Sequence, residues 1–537
     1  MCQNVDMSHA AATSVDAISL EVFRNIFAST AEEMGMTLRR AAFSPNIRER
    51  LDFSCALFDA DARMIAQAAH IPVHLGSMPA SVQSAIAAFP SLQQGDMVIL
   101  NDPYHGGSHL PDITMVSPVI VDNWSVFYVA SRAHHADVGG MSPGSLPLST
   151  ELYQEGLIIP PLLLYERGVR NQGVFQLILA NSRSPQERVG DLSAQIAANE
   201  LGTRRLLELI QRYSLATLQV HAQALQTYSR QMTQALITTL PDGSYAFEDV
   251  LESDGQSSVP LPVCVRIDVR GDEMHIDFTG TAPQAAGNIN TVPAVVRSAA
   301  WYCVRLLAND DIPVNEGCFE PIRVHIPSKS LFDPQFPAAV AVGNTETSQR
   351  VVDVVMGALS KALPTRVPAA SQGTMNNVTV GSFSIGSGTF VYYETIAGGH
   401  GASPIGNGLS GRHSHMTNTL NTPIEALEQA LPFRLHEYCL RENSGGAGQH
   451  QGGEGIRRVY EFLVPVHVSL NTERRDRQPY GMQGGEAGAS GVNKAMISGK
   501  TVVLDSKATL MLSAGDWLVI ETPGGGGWGR ADRPELP

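Results

Sequence analysis

The chain has 537 residues, beyond the size at which one hydrophobic core keeps growing, so two to four domains are expected. Its 43% hydrophobic and 17% charged content is ordinary for a globular protein and too low in charge for a disordered chain. A net charge of −15, from 37 basic and 52 acidic residues, argues against a nucleic-acid or anionic-membrane surface.

In chain order, residues 1–16 lack a basic stretch followed by an apolar one and read as a flexible tail without a secretory signal. Ser19 to Arg40 reads as a helix. Leu20, Phe23, Ile26 and Phe27 share one face and Glu21, Asn25, Ser29 and Glu32 the other, while Val22 lies off the stripe and suggests cover on a second side. Asp52 to Asp59 alternates as a strand, and Val98 to Asn101 and Val126 to Ser131 are further strands ending at polar clusters. Arg188 to Ile237 contains no proline and reads as two or three packed helices, closing an N-terminal part near Pro241. Val263 to Val269 and His275 to Phe278 form a hairpin about Gly271-Asp272, and Ala294 to Leu307 is a helix. From Leu431 the chain is glycine-punctuated, with strands at Val459 to Leu463, Val466 to Leu470, Thr501 to Leu504 and Trp517 to Glu521. The expected fold is α+β and multidomain: a tail at 1–16, a helical and mixed N-terminal metal-binding domain at 17–240, a central α/β domain at 241–430, and a β-rich C-terminal domain at 431–537. No apolar run is long enough to cross a bilayer. Six cysteines without any Cys-x-x-Cys spacing fit reduced thiols, and with them a cytoplasmic location, better than a disulfide framework.

The densest polar constellation is Asn101 to Asp112 followed by Ala133 to Gly140. Both segments follow strand-like runs, which places them on loops at strand ends, where catalytic groups are commonly mounted. Aspartates and His-Gly-Gly are also good turn formers, yet solvated turns have no need of four histidines and four aspartates between Asp102 and Asp137. Imidazole and carboxylate together suit a divalent ion such as zinc, manganese or iron. His109 and Asp112 are three apart, His134 or His135 arrives on the next loop, and Asp52 at a strand start could add a fourth oxygen.

Other motifs carry less. Gly524 to Gly527 is not followed by Lys-Ser or Lys-Thr, and Lys494 stands where a phosphate loop ending at Thr501 needs its first glycine. These glycines read as tight turns and close backbone approaches. Gly140-Met-Ser-Pro-Gly144 has the spacing of a nucleophile elbow, but Pro143 has no N–H to give an oxyanion.

Several longer motifs resemble those of hydantoinase B subunits: Ile47-Arg-Glu-Arg-Leu-Asp-Phe-Ser54, Ile71-Pro-Val-His-Leu-Gly-Ser-Met-Pro79, Asn101-Asp-Pro-Tyr-His-Gly-Gly107, Gly343-Asn-Thr-Glu-Thr-Ser-Gln-Arg350, Met416-Thr-Asn-Thr-Leu-Asn-Thr-Pro423, Ser444-Gly-Gly-Ala-Gly448 and Glu521-Thr-Pro-Gly-Gly-Gly-Gly527. The similarity to the hydantoinase B/5-oxoprolinase family runs from about Ser19 to Gly529. It implies a subunit of an ATP-dependent hydrolase of cyclic amides (hydantoins, 5-oxoproline or lactams), related to the metal-bearing subunits of acetone and acetophenone carboxylases. It also implies a hetero-oligomer with a hydantoinase A-like ATPase subunit, where ATP-Mg is bound and the substrate oxygen is phosphorylated, and one divalent metal ion on this chain. The family's metal motif maps onto Asp52, His109, Asp112 and His134, and His135 and Asp137 stand where proton-transfer or supporting groups are expected. Two other functions compete with this one: a subunit of an ATP-dependent ketone carboxylase, and a non-catalytic assembly subunit whose metal only holds loops together.

Overall fold

The structure, a computed structural model, describes residues 15–68, 71–308, 312–382 and 389–531. Most of the expected tail lies outside these residues, and Asp16 already caps the first helix, its carboxylate accepting from the Ser19 N–H at 2.8 Å. That helix, α1 (Ala17–Ala41), buries Phe23, Phe27, Met34 and Leu38 along one stripe. Val22 is 47% exposed, so among the described residues its side has no full second cover.

Among the described residues, the N-terminal part is built on seven strands: β1 (Phe53–Asp59), β2 (Met64–Ala68), β3 (Met97–Leu100), β4 (Asp112–Val121), β5 (Trp124–His134), β6 (Leu162–Glu166) and β7 (Val169–Arg170). They pair in the order β2-β1-β5-β4-β3-β6-β7, antiparallel throughout. The helices that accompany them are α2 (Pro45–Arg48), α3 (His74–Ala88), α4 (Gln172–Ala180), α5 (Pro185–Tyr213) and α6 (Leu215–Thr238). Alternation divides the sheet's side chains between two cores. Phe53, Cys55, Leu57 and Ala133 face α1 and α5, packing with Phe27, Met34, Ala194 and Ala198. Ala56, Phe58, Tyr128 and Ala130 face α3, packing with Met78 and Val82. The proline-free stretch resolves into two helices, α5 and α6, separated at Ser214, whose φ of 72° ends one helix while its hydroxyl accepts from the Thr217 N–H to start the next.

The expected hairpin is present as β9 (Leu261–Arg270) and β10 (Glu273–Asp277), preceded by β8 (Gly243–Leu251) and followed by α7 (Pro293–Arg305), β11 (Ile322–His325) and α8 (Ser348–Ala362). The sheet runs β11-β10-β9-β8, with β11 parallel to β10. Helix α8 lays Val351, Val355 and Leu359 into the same core as Val263, Val265 and Ile267.

Two further sheets use β12 (Asn377–Ser382), β13 (Phe390–Glu394), β14 (Phe433–Arg441), β15 (Gly455–Phe462), β16 (Val466–Asn471), β17 (Val492–Ile497), β18 (Lys500–Leu504), β19 (Lys507–Leu512) and β20 (Trp517–Glu521), with α9 (Ile424–Ala430) between β13 and β14. One runs β13-β12-β16-β19, taking two strands from either side of residue 431, and the other β14-β15-β20-β17-β18. They share a core in which Val378, Val380 and Leu470 meet Tyr460, Phe462 and Leu518. The fold is multidomain α+β with a strand-rich C-terminal part. Among the described residues, no helix is long and apolar enough to cross a membrane.

The glycine-rich C-terminal segment packs backbone against backbone. A Cβ on Gly524 would lie 1.9 Å from the Ser444 carbonyl oxygen, and one on Gly525 1.9 Å from that of His400. This is the close approach expected of these glycines.

Candidate metal centre

Strand register brings the polar cluster together. Asp112 opens β4 and His134 closes β5, and the two are direct antiparallel partners, so their side chains leave the sheet on the same face. Phe53 is paired with Ala133, so Asp52, one residue before β1, comes alongside His134, whose N–H donates to the Asp52 carbonyl at 3.0 Å. His109 reaches in from the loop before β4. His134 therefore belongs to a strand that runs three residues past its expected end, rather than to a loop.

His109, Asp112 and His134 each direct one ligand atom at a common point, all within 4.8 Å of one another, and all three residues are buried. His109 Nε2 is 3.2 Å from His134 Nδ1, and Asp112 Oδ1 is 3.3 Å from each of these nitrogens. The His109 Nδ1 faces the Ala341 carbonyl at 2.9 Å, which fixes that nitrogen as the donor and leaves Nε2 with a lone pair when the ring is neutral. His134 Nε2 is buried without a partner. Two imidazole nitrogens and a carboxylate oxygen thus converge on one point with few protons to share. Donors bound about 2.0–2.2 Å from one ion lie roughly 3.0–3.4 Å apart. The observed triangle fits that spacing, and two histidines with one carboxylate are a donor set suited to a divalent transition metal.

The electrostatics agree with a cation site. Burial opposes charging of His109, but the adjacent Asp112 carboxylate outweighs it and the net shift is upward. Burial also works against the Asp112 carboxylate, yet His109, His134 and His74 around it hold its pKa well below the usual range. His134 is depressed by burial, with Asp112 and Asp52 pulling the other way. The cluster opens on a cavity of about 20 Å³ lined also by Asp52, His74, Asn344, Tyr393 and the threonines Thr395, Thr417 and Thr419. That is room for one water-sized species.

The remaining candidates divide. Asp52 lines this cavity and faces the Arg50 guanidinium at 3.8 Å, outside the three-donor group. His135, one residue beyond His134, points to the opposite face of the sheet, where its Nε2 meets Gln195 Oε1 of α5 at 2.9 Å. Asp137 is fully buried against the Arg183 guanidinium at 2.9 Å and accepts from the N–H groups of Gly139, Gly144 and Arg183. Neither residue lines the cavity.

Three contributors were not singled out from the sequence. His74, at the start of α3, holds Nδ1 2.9 Å from Ser54 Oγ and Nε2 3.5 Å from Asp112 Oδ2. Asn344 places Nδ2 3.2 Å from His109 Nε2. Tyr393 stacks on His134 with ring centroids 4.5 Å apart, while Arg50 sits 4.8 Å over the tyrosine ring. His74 and Asn344 lie inside motifs that carry the family resemblance, which was the available signal; Tyr393 lies in an ordinary strand and offered none.

Comparison with known proteins adds independent findings. The family model described as Hydantoinase B/oxoprolinase matches residues 16–531. The chain is 42% identical to 5-oxoprolinase 1 of Arabidopsis thaliana over 96% of its own length, and it spans 42% of that longer protein. It is 31% identical to the putative B subunit of a D-/L-hydantoinase from a Pseudomonas species, covering 97% of this chain and 91% of that one. The crystal structure of ATP-dependent caprolactamase from Pseudomonas jessenii superposes with a TM-score of 0.90 at 28% identity, covering 96% of this chain and 92% of that chain.

Proposed function

The chain belongs to the hydantoinase B/oxoprolinase family, and on that premise we propose that it is the metal-bearing part of an ATP-dependent cyclic-amide hydrolase. The observation that carries this reading is the buried triangle of His109, Asp112 and His134, whose donor atoms face one another at 3.2–3.3 Å. Bound there, a divalent ion such as zinc, manganese or iron supplies Lewis acidity and lowers the pKa of water.

The protein's own groups prepare the place. The Ala341 carbonyl fixes the His109 tautomer, and Ser108 Oγ, at 2.5 Å from Asp112 Oδ2, and His74 steady the carboxylate so that Oδ1 meets both imidazoles. Tyr393 clamps the His134 ring. Asp52 adds a second negative group to the wall, and the threonine hydroxyls offer hydrogen bonds to a ligand oxygen. A cavity with room for one water-sized species has to widen before a ring substrate can enter.

An unstrained amide is a poor electrophile because resonance protects its carbonyl. Phosphorylation of the amide oxygen removes that protection, and this step is assigned to a hydantoinase A-like ATPase that binds ATP-Mg, either on its own chain or within the same polypeptide. The 42% coverage of the Arabidopsis 5-oxoprolinase leaves length for such a unit in that protein. The Pseudomonas relative is named as one subunit of a hydantoinase, which supports a second chain there. The substrate is a hydantoin, 5-oxoproline or a lactam. With no cavity contact, His135 and Asp137 are assigned to positioning: they anchor the chain just past His134.

Metal analysis tests the site. The purified chain should carry one divalent ion per molecule, and His109→Ala and Asp112→Ala should each lose it, with affinity falling at least about 10–100-fold. Full occupancy in both variants would refute the assignment.

A further inference from the structure

The Asn344 carboxamide makes an unusual set of contacts for a buried side chain. It sits on a π-turn, Gly343–Thr347, that leads into α8; turns of this kind concentrate at functional sites. The turn is pressed against the neighbouring loop, since a Cβ on Gly343 would lie 1.9 Å from the Asn290 carbonyl oxygen. Nδ2 lies 3.2 Å from His109 Nε2 and 3.3 Å from Asp112 Oδ2. The amide oxygen, Oδ1, is buried and has no hydrogen-bond partner. Leaving a buried carbonyl unsatisfied costs about 1–3 kcal/mol, so the present orientation is held by the two acceptors that Nδ2 touches.

One of those acceptors is the lone pair a cation would take. With that lone pair engaged, an N–H has nothing to donate to at His109 and faces a positive charge. Turning the carboxamide by half a revolution about its last bond exchanges oxygen for nitrogen. Oδ1 then stands where Nδ2 stands now, about 3.2 Å from His109 Nε2. This matches the 3.2–3.3 Å edges of the His109–Asp112–His134 triangle, so the oxygen stands at ligand spacing from His109 Nε2, on the wall of the same cavity. In the present orientation the outer atom, Oδ1, has no partner, so the turn forfeits no contact there; it gives up the Nδ2 contact to Asp112 Oδ2 at 3.3 Å. Asp52, by contrast, is outside the three-donor group and faces Arg50.

We propose that Asn344 is a further oxygen donor of the metal centre, its carboxamide turning to present Oδ1 when the ion binds; this rests on the reading of His109, Asp112 and His134 as metal ligands. The test uses the full chain, stripped with a chelator and titrated with Co²⁺, whose visible absorption reports its donor set. The wild type should bind one Co²⁺. Asn344→Ala should bind at least about tenfold more weakly with an altered spectrum, and Asn344→Asp, which keeps an oxygen donor, should bind as tightly as the wild type or more tightly. Alanine-variant binding with unchanged affinity and spectrum overturns the proposal while leaving the three-residue site standing. Should the alanine variant fail to fold, loss of affinity in Asn344→Asp overturns it equally. A wild-type chain that takes up no Co²⁺ overturns both the proposal and the metal-centre reading.

Discussion

His134 and His135 are neighbours in the chain and have opposite surroundings. His134 looks into the cavity, and His135 is buried against α5 with Gln195 as its partner. Burial, reinforced by the nearby Arg188 charge, pushes the His135 pKa down to about 3. A depressed histidine binds its proton more readily in the unfolded chain, whose reference pKa is about 6.5. Its contribution to stability is therefore complete above about pH 6.5 and is lost as the pH falls toward the folded value. Glu155 and Glu346, both pushed up to about 7 by burial, act in the opposite sense, because the folded state then holds the proton between their unfolded and folded values. The clean readout is the difference between variant and wild type. His135→Gln should flatten the acid limb of stability by about 2 kcal/mol between pH 6.5 and 5, measured by denaturant unfolding, and should retain the metal. Loss of metal with an unchanged acid limb would instead make His135 part of the centre.

The elements explain which parts of this were readable. Strand alternation is encoded in the sequence, and the polar cluster with Asp52 was visible as a group because β1, β4 and β5 end together. The division of His134 from His135 was not visible without the register, since a shift of one residue exchanges the two faces. His74 comes from the first turn of α3, between Asp52 and the Asn101–Asp112 segment, and Asn344 from a turn before α8 far beyond His134, and only tertiary packing delivers them. Strand β8 and helix α8 also escaped the sequence reading. The helix is buried on nearly every side, and its polar face, Gln349, Arg350, Asp353 and Ser360, is itself enclosed, with Arg350 paired with Asp249 at 2.7 Å. Glycines at backbone contacts give a test at this scale. Gly343→Ala and Gly525→Ala each bring a Cβ to 1.9 Å from a carbonyl oxygen, and each should cost roughly 1–3 kcal/mol or more, seen as a lower melting temperature. Gly343→Ala displaces the turn bearing Asn344 and should weaken metal binding as well. Gly525→Ala, in the C-terminal glycine segment, should leave metal affinity unchanged. Equal effects on affinity would contradict the role given to the turn.

At the scale of the whole molecule, the parts are joined by buried charge. Arg350 of α8 and Arg474 bridge Asp249 of β8 and Asp353, and Glu473 connects them to Lys507 of β19 at 2.6 Å. The central sheet, α8 and the C-terminal strands are thereby tied to one another behind the turn that carries Asn344. The proposed chemistry also requires a second catalytic unit, because a phosphorylated amide released into water would be lost before it reached the buried donors. That requirement is met if the two units are parts of one polypeptide or, as separate chains, share a large, fairly apolar interface. The central claim is that ring opening runs through His109, Asp112 and His134. It is tested most directly by combining the ATPase unit and ATP with this chain, wild type or His134→Ala, and measuring the ring-opened product from hydantoin, 5-oxoproline and caprolactam. The wild-type mixture should form product from at least one of these rings in an ATP-dependent manner, and the His134→Ala mixture should lose at least about a hundredfold in rate while still assembling. Undiminished product from the His134→Ala mixture would show that the chemistry takes place elsewhere.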